Sequence, residues 1–186
     1  MVVVGIDEVG RGCWAGPLVA AAVALDKTIA GLKDSKLLSK IQRDRLDVII
    51  QSKALAVGVG WVSPLEIDEI GLSAANALAM QRAMESITIT YNEVIIDGNI
   101  NYLMDNPKAR TLIKADVTVP TVSAASIIAK VARDKYMSQM AEQFPDYGFE
   151  RHVGYGTALH LERLKLHGIS TLHRKSFMPI KALSAA

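Results

Sequence analysis

The chain has 186 residues, 50% of them hydrophobic and 22% charged, with a formal net charge of +2. That length suits one domain with a single sizeable core, and so apolar a composition near charge balance excludes a disordered chain. The balance also argues against a uniformly basic nucleic-acid binder, while the lone cysteine, Cys13, excludes an internal disulfide and points to a reducing compartment, the cytoplasm.

Residues 2–6 form a continuous apolar run rich in β-branched side chains, the pattern of a buried strand. Residues 19–25 are a second candidate strand, although their alanines would also tolerate a helix. Ser39 has the chemistry of an N-cap for a helix over 40–51, with Leu46, Ile49 and Ile50 on one face. Leu55, Val57, Val59 and Trp61 alternate through 54–62 and predict a third strand. Ser63-Pro64-Leu65-Glu66 is a capping box with proline at the first helical position, opening a short helix that stops near Gly71. Ser73 begins a stronger helix to about Ser86. Residues 93–97 predict a strand closed by Gly98-Asn99, and 111–113 a further short strand. The longest helix is expected over 123–143, and the last over 157–167, stopped by Gly168. Strands cluster early and then alternate with helices, which predicts an α/β fold, a mixed central sheet flanked by helices on both faces. No repeat or linker composition divides the chain, so residues 1–186 are expected to form a single domain.

Charge is unevenly distributed. From Arg151 onward the chain carries +5 and all four histidines, whereas residues 1–150 carry −3. Such asymmetry usually marks a solvated face. The longest uncharged run, residues 12–25, is 14 residues long and contains Pro17, short of the ~20 that span a bilayer. With Asp7 and Glu8 so early, no signal peptide and no membrane partner are expected.

Four carboxylates occupy strand ends or the loops beside them. Asp7 and Glu8 follow an apolar strand and precede Gly10-Arg11-Gly12; Asp97 follows another; Asp116 lies just ahead of the long helix. Ligand sites of α/β sheets gather at such ends. Singly, Asp97 and Asp116 fit a turn residue and a helix cap. Converged, four acids would repel one another by ~4 kcal/mol per pair at ~4 Å and an effective dielectric near 20, unless protons or cations neutralise them. Hard oxygen ligands select Mg²⁺ or Mn²⁺, and two such ions about 3.5–4 Å apart activate water for phosphodiester cleavage.

The segment Gly5-Ile6-Asp7-Glu8-Val9-Gly10-Arg11-Gly12 with Ala15-Gly16-Pro17 resembles the opening motif of type 2 ribonuclease H. So do Asp34-Ser35-Lys36 with Leu38, Ile96-Asp97-Gly98, Lys114-Ala115-Asp116, and residues 122–131 with Arg133-Asp134. Tyr147-Gly148-Phe149, His152, Gly154-Tyr155-Gly156-Thr157, His160, His173-Arg174 and Ser176-Phe177 complete an ordered set over nearly the whole chain. The resemblance implies a ribonuclease H-like fold with a helical C-terminal extension. It implies catalytic, metal-binding carboxylates at Asp7, Glu8, Asp97 and Asp116, with two ions, Mg²⁺ or Mn²⁺, during catalysis. The implied activity is hydrolysis of the RNA strand of RNA–DNA hybrids and incision of duplex DNA 5′ to embedded ribonucleotides, leaving 3′-hydroxyl and 5′-phosphate ends.

By the same resemblance, Gly10, Arg11, Gly12 and Tyr155 sense the 2′-hydroxyl, the group that separates RNA from DNA. Lys36 and Ser123 match positions near the nucleic acid and are expected at phosphates. Asp134 and the histidines are expected to be structural, and Lys130 structural or substrate-facing. Three departures stand out: Cys13-Trp14 where Pro and a small or apolar residue are common, and Val153 and Ala158 where lysines are frequent. The expected state is a monomer, and a sliding-clamp contact has no visible motif after Phe177. Two other readings share the clustered acids: another nuclease or transposase of the superfamily, which would not predict the Gly-Arg-Gly and tyrosine pair, and a non-catalytic hybrid-binding protein.

Overall fold

A computed structural model of the chain describes residues 1–33 and 35–184; Asp34, part of one family motif, lies outside the described residues. Five strands form one sheet in the order β3-β2-β1-β4-β5: β1 (Val3–Val9), β2 (Leu18–Leu25), β3 (Ala54–Val62), β4 (Glu93–Asp97) and β5 (Ala109–Leu112). β1 is central, antiparallel to β2 and parallel to β4. The helices are α1 (Lys40–Lys53), α2 (Pro64–Glu85), α3 (Ala115–Thr118), α4 (Pro120–Gln143), α5 (Phe149–His152), α6 (Ala158–His167) and α7 (Met178–Ser184).

Local chemistry explains most boundaries. Ser39 caps α1 and Ser63 caps α2, each in a capping box, the first with Gln42 and the second with Glu66. α2 spans both helices expected from the sequence, broken between them at Gly71 (φ 79°, ψ 160°). The ambiguous alanine run of β2 is a strand because both of its faces are covered: every residue from Leu18 to Ala24 is buried. On one face Val4, Ile6, Ala20 and Ala22 pack against Ala75, Ala79, Met80 and Ala83 of α2. On the other, Val19, Ala21 and Val23 pack against Leu46 and Ile50 of α1 and Ile127 and Ile128 of α4.

Gly5 lets α4 approach β1 closely, since a Cβ there would collide with the backbone of Thr121 and Val122. That contact lays the N-terminal half of α4 beside the carboxylate end of β1. A third apolar cluster joins Met137 of α4 to Tyr147, Phe149, Leu164, Leu172 and Ile180. It docks the C-terminal helical segment onto the C-terminal half of α4, as the expected extension requires.

The structure corrects three expectations. β5 begins two residues before 111 and ends at Leu112. The long helix starts at Pro120, with proline at its first turn, rather than at 123. Asp116 is not a cap of that helix: α4 has Val119 at its N-cap and no side-chain cap, and Asp116 sits inside the one-turn helix α3.

Candidate active site

The parallel register pairs Ile6 of β1 with Ile96 of β4. One residue further along, Asp7 and Asp97 come level at the ends of adjoining strands, which lie about 4.8 Å apart in a sheet. Asp7 is 9% exposed, and its Oδ1 accepts from the Glu8 amide at 2.8 Å. Asp97 is half-buried, and its Oδ1 accepts from the Ala115 amide at 2.7 Å. That bond holds the start of α3 against β4 and sets the next residue, the buried Asp116, beside the same strand ends. Lys114, just before it, is in the left-handed region (φ 58°), a strained turn of the kind found where a site must be shaped.

Burial, then the charges of Glu8 and Asp97, raise the Asp7 carboxyl well above the ordinary carboxylate range. Burial also raises Glu8; Arg11, whose Nη1 lies 3.4 Å from Glu8 Oε1, opposes the rise, and Asp97 adds to it. Asp7, Glu8 and Asp97 therefore share one electrostatic environment, and Asp116 is tied to it through the backbone. Among the described residues no group of three or more Asp, Glu, His or Cys side chains stands ready to hold a metal ion. Glu8 is turned onto Arg11, and Asp97 holds the Ala115 amide through one carboxylate oxygen. The donor set itself fits a hard divalent cation: buried carboxylate oxygens whose mutual repulsion a cation would relieve.

The expected substrate residues are placed unequally. Lys36 is exposed on a 3-10 turn, Ser35–Leu37, whose Ser35 Oγ accepts from Ser126 Oγ at 2.7 Å. Ser126 also neighbours the Asp7 carboxyl, so the Lys36 turn abuts the carboxylates. Ser123 is buried instead, and its hydroxyl donates to the Asp116 carbonyl at 2.6 Å. In this structure it fixes the Asp116 turn.

Gly10 bends the chain at φ 93°, and a Cβ there would run into the Arg133 guanidinium. Gly12 opens to solvent: a Cβ would meet nothing within 4 Å. Cys13 pairs with Tyr155 as an antiparallel bridge, which brings its thiol near the tyrosine side chain. Tyr155 is 39% exposed; burial first, then Cys13, push its hydroxyl up to about 12. Lys130 Nζ lies 5.7 Å and Arg133 Cζ 5.9 Å from its ring centroid. Lys130 also pairs with Asp134 at 2.9 Å, so both suggested roles for Lys130 have a structural counterpart.

Two residues of the sequence motifs had no role assigned to them, Arg133 and Arg174. Arg133 and Arg174 are fully buried, and every bond they make goes to a backbone carbonyl. Arg133 holds Pro17, Val153 and Ala15; Arg174 holds Gly16 and Arg11. Together they fold loop 10–17 against the tyrosine loop. One signal was available: Arg133 lies four residues from both Ala129 and Met137, on the buried stripe of α4.

Comparison with known proteins agrees with this architecture. The sequence model of the family described as ribonuclease HII fits residues 4–180. The chain belongs to the ribonuclease HII family. The ribonuclease HII of Shewanella loihica is 48% identical over 181 residues, covering 95% of this chain and 87% of the relative. The crystal structure of ribonuclease H2 from Pyrococcus horikoshii OT3 matches with a TM-score of 0.82 and 27% identity, covering 100% of this chain and 98% of that one. RNase HII of Archaeoglobus fulgidus, solved as a complex with PCNA, matches with a TM-score of 0.82 and 28% identity, covering 95% of each chain. The five-stranded mixed sheet is thus the ribonuclease H-like fold, and the protein is a metal-dependent endoribonuclease of ribonuclease H type 2.

Proposed function

We propose that this ribonuclease HII uses Asp7, Glu8, Asp97 and Asp116 to hold two divalent ions, Mg²⁺ or Mn²⁺. On this reading it hydrolyses the RNA strand of RNA–DNA hybrids and incises duplex DNA 5′ to embedded ribonucleotides, leaving 3′-hydroxyl and 5′-phosphate ends. The observation that carries the reading is the level placement of Asp7 and Asp97 on adjoining strands, with the Ala115 amide bond bringing Asp116 beside them. When bound, such ions supply a nucleophile from water at neutral pH and charge for the leaving oxygen. The chain's own residues do the rest. Glu8, now paired with Arg11, would help hold the ions, Asp97 and Ser123 brace the α3 turn under Asp116, and Lys36 presents a cation to the phosphates beside Asp7.

Selection falls to loop 10–17 and Tyr155. The carbonyls of Arg11, Ala15, Gly16 and Pro17 are turned inward onto Arg133 and Arg174. Gly10, Arg11 and Gly12 then meet the sugar from a rigid frame, with Tyr155 beside them to stack on it. The likeness to the Archaeoglobus complex supports a sliding clamp among the partners. We further propose a monomer of one domain, acting in the cytoplasm; among the described residues no helix is long and apolar enough to cross a membrane.

The test is a duplex with a single ribonucleotide, incubated with and without Mg²⁺. Cleavage 5′ to the ribonucleotide is expected only with the ion, and Asp97→Asn is expected to abolish it. Absence of that cut in the wild type, or a cut indifferent to Asp97→Asn, would overturn the reading.

A further inference from the structure

Three of the four histidines are buried in one cluster behind the tyrosine loop: His152 at 6%, His160 at 0% and His173 at 1% exposure. His160 and His173 meet ring to ring, their Nε2 atoms 3.0 Å apart. The outer atoms of that pair settle which proton lies where. His160 Nδ1 lies 2.9 Å from the Tyr155 carbonyl, which can only accept, so this nitrogen carries the hydrogen. The Ser170 amide, which can only donate, points at His173 Nδ1 at 2.9 Å, and the Ser170 hydroxyl, 2.8 Å from the same nitrogen, can donate as well, so that nitrogen is bare. A neutral imidazole has one nitrogen of each kind. His173 Nε2 then bears a hydrogen, His160 Nε2 does not, and the 3.0 Å contact is a proper N–H···N bond.

The chain runs in one direction, from the Ser170 amide through His173 and His160 to the Tyr155 carbonyl. His152 makes the same kind of fit, accepting from the Gly154 amide at Nδ1 and donating from Nε2 to the Tyr147 carbonyl. We propose that His173 and His160 are positioning residues for substrate selection: a relay of two neutral imidazoles that fixes the Tyr155 backbone and so sets its ring against loop 10–17. The inference rests on Tyr155 being the residue that meets the ribonucleotide.

Among the described residues no carboxylate acts on either ring. His152, on α5, stacks on His160 at 4.3 Å and senses Glu150 and Arg151. The rings of Trp14, Tyr147 and Phe149 cover the remaining approaches, and Met137 of α4 packs in the same cluster. A proton added to either imidazole sets a donor against a donor, at the Nε2 pair or at the Ser170 amide. Burial, the largest cause for both rings, accordingly holds His160 and His173 down at about 4. The departure at position 14 belongs to this device: the Trp14 indole fills the space a Cβ at Gly156 would need and lies 5.5 Å from the His160 ring.

The first test is long-range ¹H–¹⁵N NMR of the histidine side chains in the intact protein at pH 7. Opposite neutral tautomers are expected, hydrogen on Nδ1 for His160 and on Nε2 for His173. Two like tautomers, or a charged ring, would overturn the proposal. The second is cleavage of the single-ribonucleotide duplex by His173→Leu, His173→Gln and Tyr155→Ala. His173→Leu is expected to lose about ten- to a hundredfold in kcat/KM, the scale of a misplaced contact. His173→Gln is expected to recover most of it, because its amide can still donate to His160. If Tyr155→Ala cleaves like the wild type, the reading of the tyrosine fails. If Tyr155→Ala is impaired while folded His173→Leu is not, the relay fails and the reading of Tyr155 stands; should His173→Leu not fold, His173→Gln and the tautomer pattern still decide.

Discussion

Asp7 shows how the catalytic demand conflicts with stability at a single residue. Buried next to Glu8 and Asp97, its charge is disfavoured by desolvation and by both neighbours. Asp7→Asn keeps the shape and an oxygen for the Glu8 amide while removing the repelling charge. The metal-free variant is therefore expected to gain about 0.5–2 kcal/mol, the usual scale for relaxing a strained active site, or roughly 2–4 °C in Tm per kcal/mol at this chain length. The same variant should lose most of the Tm rise that Mg²⁺ gives the wild type, because a ligand stabilises only the state that binds it. Differential scanning calorimetry with and without 10-fold excess chelator measures both; a variant less stable than wild type without metal would show that the carboxylates do not strain the fold. Asp7 and Glu8 were legible in the sequence because an acidic pair directly after an apolar strand is unusual. Asp116 also stood out beside the long helix but singly fitted a helix cap, since the one-turn helix that carries it depends on the Asp97–Ala115 bond and has no local signature.

Elements with their own start signals were readable, and those made by tertiary contact were not. The N-cap at Ser39, the capping box at Ser63 and the alternation through β3 place α1, α2 and β3 within two residues. α5 and α7 went unseen because their short runs are held by the aromatic cluster around Phe149 and by Phe177, not by caps. Loop 10–17 is the extreme case: its shape comes from two arginines more than a hundred residues away. Neither arginine has a carboxylate among the described ion pairs, and burial lowers Arg174 to about 10. Arg174→Met fills a similar volume but leaves the Gly16 and Arg11 carbonyls without their donor. At about 1–3 kcal/mol for each of the two orphaned groups, a loss on the order of 2–6 kcal/mol in urea unfolding is expected. Where the variant remains folded, KM for the single-ribonucleotide duplex should rise with little change in kcat, because the loop frames the substrate and does not hold the metal carboxylates. A kcat effect with KM intact would contradict that division.

At the scale of the whole molecule, the histidine cluster sets a pH dependence with a definite sign. In the unfolded chain His160 and His173 titrate near the ordinary ~6.5, and in the folded protein at about 4. Between those values the unfolded state binds more protons, so stability rises with pH, and it is lost as pH falls from about 6.5 toward 4. Urea midpoints across that window should fall steeply for the wild type and more gently for His173→Gln; identical slopes would mean the ring is not held neutral by folding.

The +5 of the tail needs the same placement before it counts as a nucleic-acid surface. Arg174 is buried and spends its charge on carbonyls, and residues 153 and 158, flanking the tyrosine loop, are Val and Ala. Val153 also sits at φ 43°, a costly conformation for a β-branched residue. Val153→Lys would remove the branch and add a cation beside Tyr155, where the family often carries one. Each phosphate neutralised steepens log K against log[salt] by about 0.9 on duplex DNA. Binding of a catalytically silent Asp97→Asn background, measured from about 50 to 200 mM salt, is therefore expected to steepen by nearly one unit in Val153→Lys. The chemical step in the Asp97 wild-type background should stay unchanged, because residue 153 touches none of the four carboxylates. An unaltered slope would place residue 153 away from the phosphates and move the nucleic-acid path off the tyrosine loop.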